Sequence, residues 1–261
     1  MFRLIVITVL ISAAAALAWA GDDNAFQWQG EMTPDQTLAI RGVSGGVTAD
    51  LAPGTLAQVT AAISAPGADP SLVQIQVVPT DGGVSICALY PGSLAGPADA
   101  CGLQSGFVVA TGIQVVFTVH VPAGVALDIA IVNGDIRATG LTGDFRGATV
   151  NGQIALSLSG SAQAATVNGS IVAVLGSVAW TGARSFTTVN GSIDATLPAS
   201  ADVVIHAAAV AGSISTDFPL SVRGSGIFCG SASTLNGALG SGGRTLDFAT
   251  VNGSIHLRKS Q

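Results

Sequence analysis

The sequence predicts an all-β protein, a single-chain parallel β-solenoid of β-helix type, and three observations predict it. A pentapeptide whose commonest form is Val-Asn-Gly-Ser-Ile returns along the second half of the chain. Charged residues make up only 9% of the sequence, against 34 glycines in 261 residues. Long helices need charged outer faces, and here there is little to build them from. Elsewhere apolar residues alternate with small or polar ones, as at Ile113, Val115, Phe117, Val119 and Val121, which is the period of a strand with one buried face.

The first residues read as an export signal. Arg3 precedes an apolar run over residues 4–17 broken only by Thr8 and Ser12, and Ala18-Trp19-Ala20 is a small-x-small cleavage site. The run is short of the roughly 20 residues that span a bilayer. Residues 1–20 are therefore expected to be a cleaved signal peptide. Residues 21–261 are expected to form one exported domain with no further membrane span, located in the periplasm, at the cell surface or outside the cell. Its first part, residues 21–125, is irregular. Val73, Ile75 and Val77 alternate with glutamines, while Pro53, Pro66, Pro70, Pro79, Pro91, Pro97 and Pro122 punctuate the segment. Cys87 and Cys101 flank a loop, and export to an oxidising compartment makes a disulfide between them the expectation. Closing a loop of that size stabilises by roughly 3 kcal/mol in the chain-entropy model. Cys229 has no evident partner in the sequence.

Residues 126–261 carry the regular repeats. The corner pairs are Asn133-Gly134, Asn151-Gly152, Asn168-Gly169, Asn190-Gly191 and Asn252-Gly253, each preceded by Val and followed two residues later by Ile. Val210-Ala211-Gly212-Ser213-Ile214 and Leu235-Asn236-Gly237-Ala238-Leu239 are weaker copies, and Val43-Ser44-Gly45-Gly46-Val47 is a half-copy near the start. Successive repeat valines from Val132 to Val210 lie 18, 17, 22 and 21 residues apart, a period that points to stacked units. Asn and Gly both tolerate positive φ, so the pair suits a tight bend. A chain of hairpins would show turn signals every 8–12 residues or so, so one unchanged signal at this longer spacing favours a corner over a hairpin. Units stacked about 4.8 Å apart place asparagine amides one above another in a hydrogen-bonded ladder.

Val132 and Ile136 share a parity, whereas Ile129 and Ile131 before them have the other, which places a bend just before the repeated Val. Each unit is then expected to wrap a narrow core of Val, Ile, Leu, Ala and Phe. Residues 26–34 and Arg258-Lys259 are candidate end caps. The outward positions after each repeat Ile are Arg137, Ala155, Val172, Asp194, Ser215 and His256. They share no chemistry and read as a solvated face.

The net charge of -6 argues against nucleic acid as a partner, and no Lys/Arg run suggests anionic lipid. Gly42-Val43-Ser44-Gly45-Gly46 matches the nucleophile-elbow pattern, but no helical pattern follows it. His120, His206 and His256 have no metal-ligand spacing. Asp128, Asp135, Asp144, Arg137 and Arg146 are mixed in sign and read as an ion-paired face. The Asn-Gly-Ser sequons at Asn168, Asn190 and Asn252 coincide with the repeat and read as accidental. No cofactor is implied.

The Val-Asn-Gly-Ser-Ile copies stand beside Val121-Pro122-Ala123-Gly124-Val125, Thr216-Asp217-Phe218-Pro219-Leu220 and Gly242-Gly243-Arg244-Thr245-Leu246. With Ile86-Cys87-Ala88-Leu89-Tyr90-Pro91 and the later Cys101, they resemble the bacterial putative-adhesin family of β-strand-repeat proteins, a domain of unknown function. The resemblance implies adhesion and carries over no catalytic residue. Ala211 departs from the repeat Asn, which predicts a break in the ladder at that unit. The expectation is a non-enzymatic envelope protein that binds a surface polymer or another protein. The alternatives are a polysaccharide-active β-helix enzyme and a scaffold or sensor in envelope maintenance.

Overall fold

The computed structural model describes residues 25–90, 112–178, 180, 182–225 and 232–260. The expected signal peptide, Cys101 and Cys229 lie outside the described residues, and with them the Cys87–Cys101 pairing. Cys87 is itself buried, with its Sγ 3.8 Å from Ser85 Oγ. Among the described residues the chain is all-β, with one short 3-10 turn at Pro70–Leu72 and no α-helix.

The irregular part forms β1 (Ala25–Glu31), β2 (Thr37–Arg41), β3 (Val47–Leu51), β4 (Leu56–Ser64), β5 (Gln74–Thr80), β6 (Gly83–Leu89) and β7 (Gln114–Val121). The repeats then lay down strands in pairs. These are β8 (Ala126–Ala130) and β9 (Ile136–Thr139), β10 (Phe145–Asn151) and β11 (Ile154–Leu158), β12 (Ala162–Asn168) and β13 (Ile171–Leu175), and β14 (Ala183–Asn190) and β15 (Ile193–Leu197). A further pair is β16 (Val203–Ala211) and β17 (Ile214–Thr216). Then come β18 (Val222–Ser225), β19 (Ala232–Leu239) and the last pair, β20 (Thr245–Asn252) and β21 (Ile255–Lys259).

Two large sheets result. The ten-stranded sheet runs β1-β4-β7-β3-β9-β11-β13-β15-β21-β17, and the eleven-stranded sheet runs β18-β19-β16-β20-β14-β12-β10-β8-β2-β6-β5. Each repeat gives its first strand to the larger sheet and its second to the smaller, with the Asn-Gly corner between them. The repeat strands pair in parallel, like residue over like: Asn151 on Asn168, Asn168 on Asn190, and Ile154 on Ile171 on Ile193. Antiparallel strands border the parallel body: β1 and β4 at one end of the ten-stranded sheet, and β5, β19 and β18 at the ends of the other.

The units are not stacked in the order in which they are written. β20 sits between β14 and β16, and β21 between β15 and β17. The last repeat is therefore inserted beneath the degenerate Val210 copy. Two expectations change. Arg258 and Lys259 end β21, an interior strand where they pair with Thr196 and Leu197 of β15, rather than forming a cap. The Leu235-Asn236-Gly237-Ala238-Leu239 copy is no corner, because it runs straight through β19 antiparallel to β16. Residues 26–34 do begin with an edge strand, β1. The half-copy at Val43 is a true corner: it joins β2 to β3, and Ser44 bridges to Asn133.

The core lies between the sheets. Ile136, Ile154, Ile171, Ile193 and Ile255 are all fully buried in one column, each burial stabilising by roughly 1.5–3 kcal/mol. Phe186 and Phe248 stack with ring centroids 5.5 Å apart. The repeat valines do not join this core. Val150, Val167 and Val189 are each 39% exposed and Val210 is 56% exposed. The buried residue on the approach to the corner is instead Thr149, Thr166, Thr188 or Thr250, so the inward parity ends at the Thr and resumes at the Ile.

Candidate binding face

The corner is built from four residue types, each with its own task. The asparagine amides form one continuous ladder. The Nδ2 of Asn151 donates to Asn133 Oδ1 at 2.7 Å, Asn168 to Asn151 at 2.8 Å, Asn190 to Asn168 at 2.8 Å, and Asn252 to Asn190 at 2.8 Å. Ala211 pairs with Asn252. It ends the ladder and does not interrupt it, because the inserted last repeat restores an asparagine at that level. Ser44 stands at the opposite end.

Glycine follows asparagine because of the stacking. A Cβ on Gly152 would lie 1.9 Å from the Gly134 carbonyl oxygen, one on Gly169 1.9 Å from that of Gly152, and one on Gly191 2.0 Å from that of Gly169. Positive φ is not the reason. Gly134, Gly152 and Gly169 do not adopt it, while Gly191 and Gly253, at 159° and 158°, are close to extended. The buried threonines cross-link the same carbonyls from inside. Thr166 Oγ1 donates to Gly152 O at 3.1 Å, Thr188 to Gly169 O at 2.8 Å and Thr250 to Gly191 O at 2.9 Å. Serine closes the set: Ser170 Oγ accepts from the Ser192 N–H at 3.2 Å, and Ser192 Oγ from that of Ser254 at 3.3 Å. Asp135 does the same for Gln153 at 2.9 Å. Sequence reasoning missed both the threonine and the serine tasks. The signal was the Thr two residues before Asn151, Asn168, Asn190 and Asn252.

Asn151, Asn168 and Asn190 each use one N–H and one carbonyl lone pair along the column, and by its valence each amide keeps another of each for solvent or ligand. Losing Asn168 removes two ladder bonds, each with a net value of about 0.5–1.5 kcal/mol and near the low end at an exposed site. Asn168→Ala is therefore expected to destabilise by about 1 kcal/mol, lowering Tm by roughly 2–4 °C in a thermal melt. Ala211→Asn is expected to raise it, by adding a ladder bond.

Beside the amides, the outer face of the eleven-stranded sheet carries Val150, Val167, Val189, Val251 and Val210 in a column, 39–56% exposed. Five strands about 4.8 Å apart make this column about 19 Å long. Next to it run Ala130, Ala148, Ala165, Thr187, Ala249 and Ala208, and then a polar column of Asp128, Arg146, Gln163, Ser185, Asp247 and His206. Beyond these, a shallow cleft of about 170 Å³ includes Asp144, Ser161 and Arg184. Arg184 donates to Asp144 at 3.2 Å and to Ser161 at 3.1 Å, and Ser161 also donates to Asp144. Arg41 pairs with Asp128 at 3.1 Å.

The other charged candidates are dispersed. Asp135 and Arg137 pair at 3.5 Å in the open. On the ten-stranded sheet His120 meets Asp50, and Asp194 holds both His256 at 3.0 Å and Arg258 at 3.1 Å. His206 contacts Asn236 at 2.7 Å. No group of three or more metal-ligating residues comes together among the described residues. Ser44, the elbow candidate, leads into a strand. Its carbonyl accepts the Tyr90 hydroxyl at 2.8 Å, and its N–H donates to the same oxygen at 3.3 Å. Burial pushes the Tyr90 phenol up from its usual pKa, partly offset by the bond to Ser44. No described helix is long and apolar enough to cross a membrane.

No family model matches the chain, and no curated protein matches it by sequence. Among solved structures it is similar to a putative cell adhesion protein from Clostridium sporogenes, at 12% identity over 90% of this chain and 99% of that one, with a TM-score of 0.48. It is also similar to a putative adhesin from Bacteroides fragilis, at 14% identity over 92% and 98%, TM-score 0.36. A putative lipid binding protein from Parabacteroides distasonis aligns at 10% identity over 92% and 98%, TM-score 0.33.

Proposed function

We propose that this chain is an exported, non-enzymatic β-solenoid protein of the bacterial envelope, an adhesin whose outer sheet face binds an extended surface polymer. The observation that supports the reading is the exposed valine column bordered by the amide ladder. An apolar strip in register on a soluble sheet is a feature that binding surfaces show. The strip is long and narrow, too small for the roughly 800 Å² per partner of a standard protein interface, and better matched to one polymer chain lying across the strands. Its neutral side chains, with uncharged amides along one edge, suit an uncharged polymer with apolar faces and hydroxyl edges. The mixed charges beyond it are mostly paired with one another.

The test is a glycan and cell-wall polymer array with the purified protein, run beside Val167→Lys/Val189→Lys. Both side chains are exposed, so the variant is expected to melt like the parent while losing at least most of its binding. A protein that binds no polymer, or a variant that binds as well as the parent, contradicts the reading.

A further inference from the structure

The inserted last repeat occupies a seat that another part of the same chain could have filled. In sequence, β16 and β17 follow β14 and β15 and carry the same corner, Val210-Ala211-Gly212-Ser213-Ile214. In space, β20 and β21 lie between the two pairs, parallel to both.

The register shows what selects the occupant. The seat beside β14 and β15 offers the Phe186 ring, the Gly191 carbonyl, the Asn190 amide, the Ser192 hydroxyl and the Asp194 carboxylate. The last repeat answers each of them. Phe248 stacks on Phe186, Thr250 donates to Gly191 O at 2.9 Å, and Asn252 donates to Asn190 at 2.8 Å. The Ser254 N–H donates to Ser192 Oγ at 3.3 Å, while His256 and Arg258 reach Asp194. The equivalent positions of β16 and β17 hold Ala207, Ala209, Ala211, Ser213 and Ser215. The two serines could still bond to Ser192 and Asp194, but the three alanines can answer neither the ring, the carbonyl nor the amide.

The occupant joins β19 through a turn at residues 240–243, where Gly240, Gly242 and Gly243 have φ of 63°, 69° and 141°. These conformations are open to glycine at no steric cost, so the connection can re-route without strain in its own residues. Every recognising group in the seat belongs to the body of the fold, and none depends on which molecule supplies the strands. Exchange of identical elements between protomers is a low-cost route to assembly.

We propose that the seat between β14/β15 and β16/β17 is a strand-exchange site, and that its partner is a second copy of this chain supplying residues 245–259. An exchanged pair joins two copies through native parallel pairing in both sheets at once, with no new interface required.

The test uses the full chain with a protease site placed in the turn at residues 240–243 and cleaved after folding. The cleaved fragment is challenged, just below the melting temperature, with an excess of labelled peptide covering residues 244–260. The expected result is incorporation of the peptide with loss of the original fragment. A peptide carrying Phe248→Ala, Thr250→Ala and Asn252→Ala, which makes it resemble β16, is expected to bind at least roughly 1,000-fold more weakly, the burial of the Phe248 ring and two hydrogen bonds being lost. In parallel, deleting Gly242 and Gly243 from the uncut chain is expected to raise the share of dimer or larger species on size exclusion. A fragment that the peptide never replaces, or a triple-alanine peptide that enters equally well, overturns the proposal.

Discussion

Gly169→Ala is expected to destabilise the protein by more than about 3 kcal/mol, or to prevent folding. The added Cβ would lie 1.9 Å from the Gly152 oxygen and 2.6 Å from its carbonyl carbon. Both atoms are backbone, and neither can give way alone. Moving the Gly152 carbonyl breaks its bond from Thr166 Oγ1, and moving the Gly169 segment strains the Asn151–Asn168–Asn190 ladder and the parallel pairing in both sheets. The two corners must separate, and the buried Ile154 and Ile171 columns separate with them. Urea or thermal unfolding measures this against Gly82→Ala. Gly82 has nothing within 4 Å of its added Cβ and no positive φ, so that change is expected to be near neutral. Equal effects of the two substitutions would mean that the corners are not packed backbone to backbone.

Ile193→Ala is expected to cost about 2–5 kcal/mol, whereas Val189→Ala, four residues earlier in the same repeat, costs about 0.5 kcal/mol or less. Ile193 is fully buried between Ile171 and Ile255 in the column. Truncation there removes apolar burial and leaves a cavity that parallel neighbours on both sides cannot collapse into. Val189 is 39% exposed on the outer face. The pair of measurements separates the two possible directions of the corner. If the valines faced inward, the two costs would be similar.

The corners were legible in the sequence because stacking repeats the same requirement at each level, and identical residues recur where requirements are identical. All-β architecture was legible from the lack of charge. The direction of the valines was not. Parity counting through residues 132–136 assumes a regular strand, but the chain crosses from one sheet to the other between Asn133 and Ile136. The counting rule fails where that corner lies. The order of the units was not legible either, because a repeat records what it stacks upon in kind but not which copy. What distinguishes the seat is spread over Phe248, Thr250, Asn252, His256 and Arg258, each meaningful only opposite Phe186, Gly191, Asn190 and Asp194. The Asn236-Gly237 pair misled for the converse reason. In β19 the pair lies mid-strand, where Asn236 serves His206 and Gly237 leaves room for the Leu220 side chain.

The exposed valine column was hidden by the same misplacement of the valines. The outward residues singled out from the sequence lie on the ten-stranded sheet, where Arg137, Ala155, Val172, Asp194 and His256 do form one row. That row is chemically mixed, as expected. The uniform row is on the opposite sheet, one residue before the asparagines.

Like corners stack in a single column whose order is 133, 151, 168, 190, 252 and then 211. Nuclear Overhauser contacts from the side-chain amide of Asn252 test it most directly. The structure predicts contacts to the Asn190 amide on one side and to the Ala211 methyl on the other. A contact from the Asn190 amide to the Ala211 methyl, with Asn252 remote from both, would contradict it.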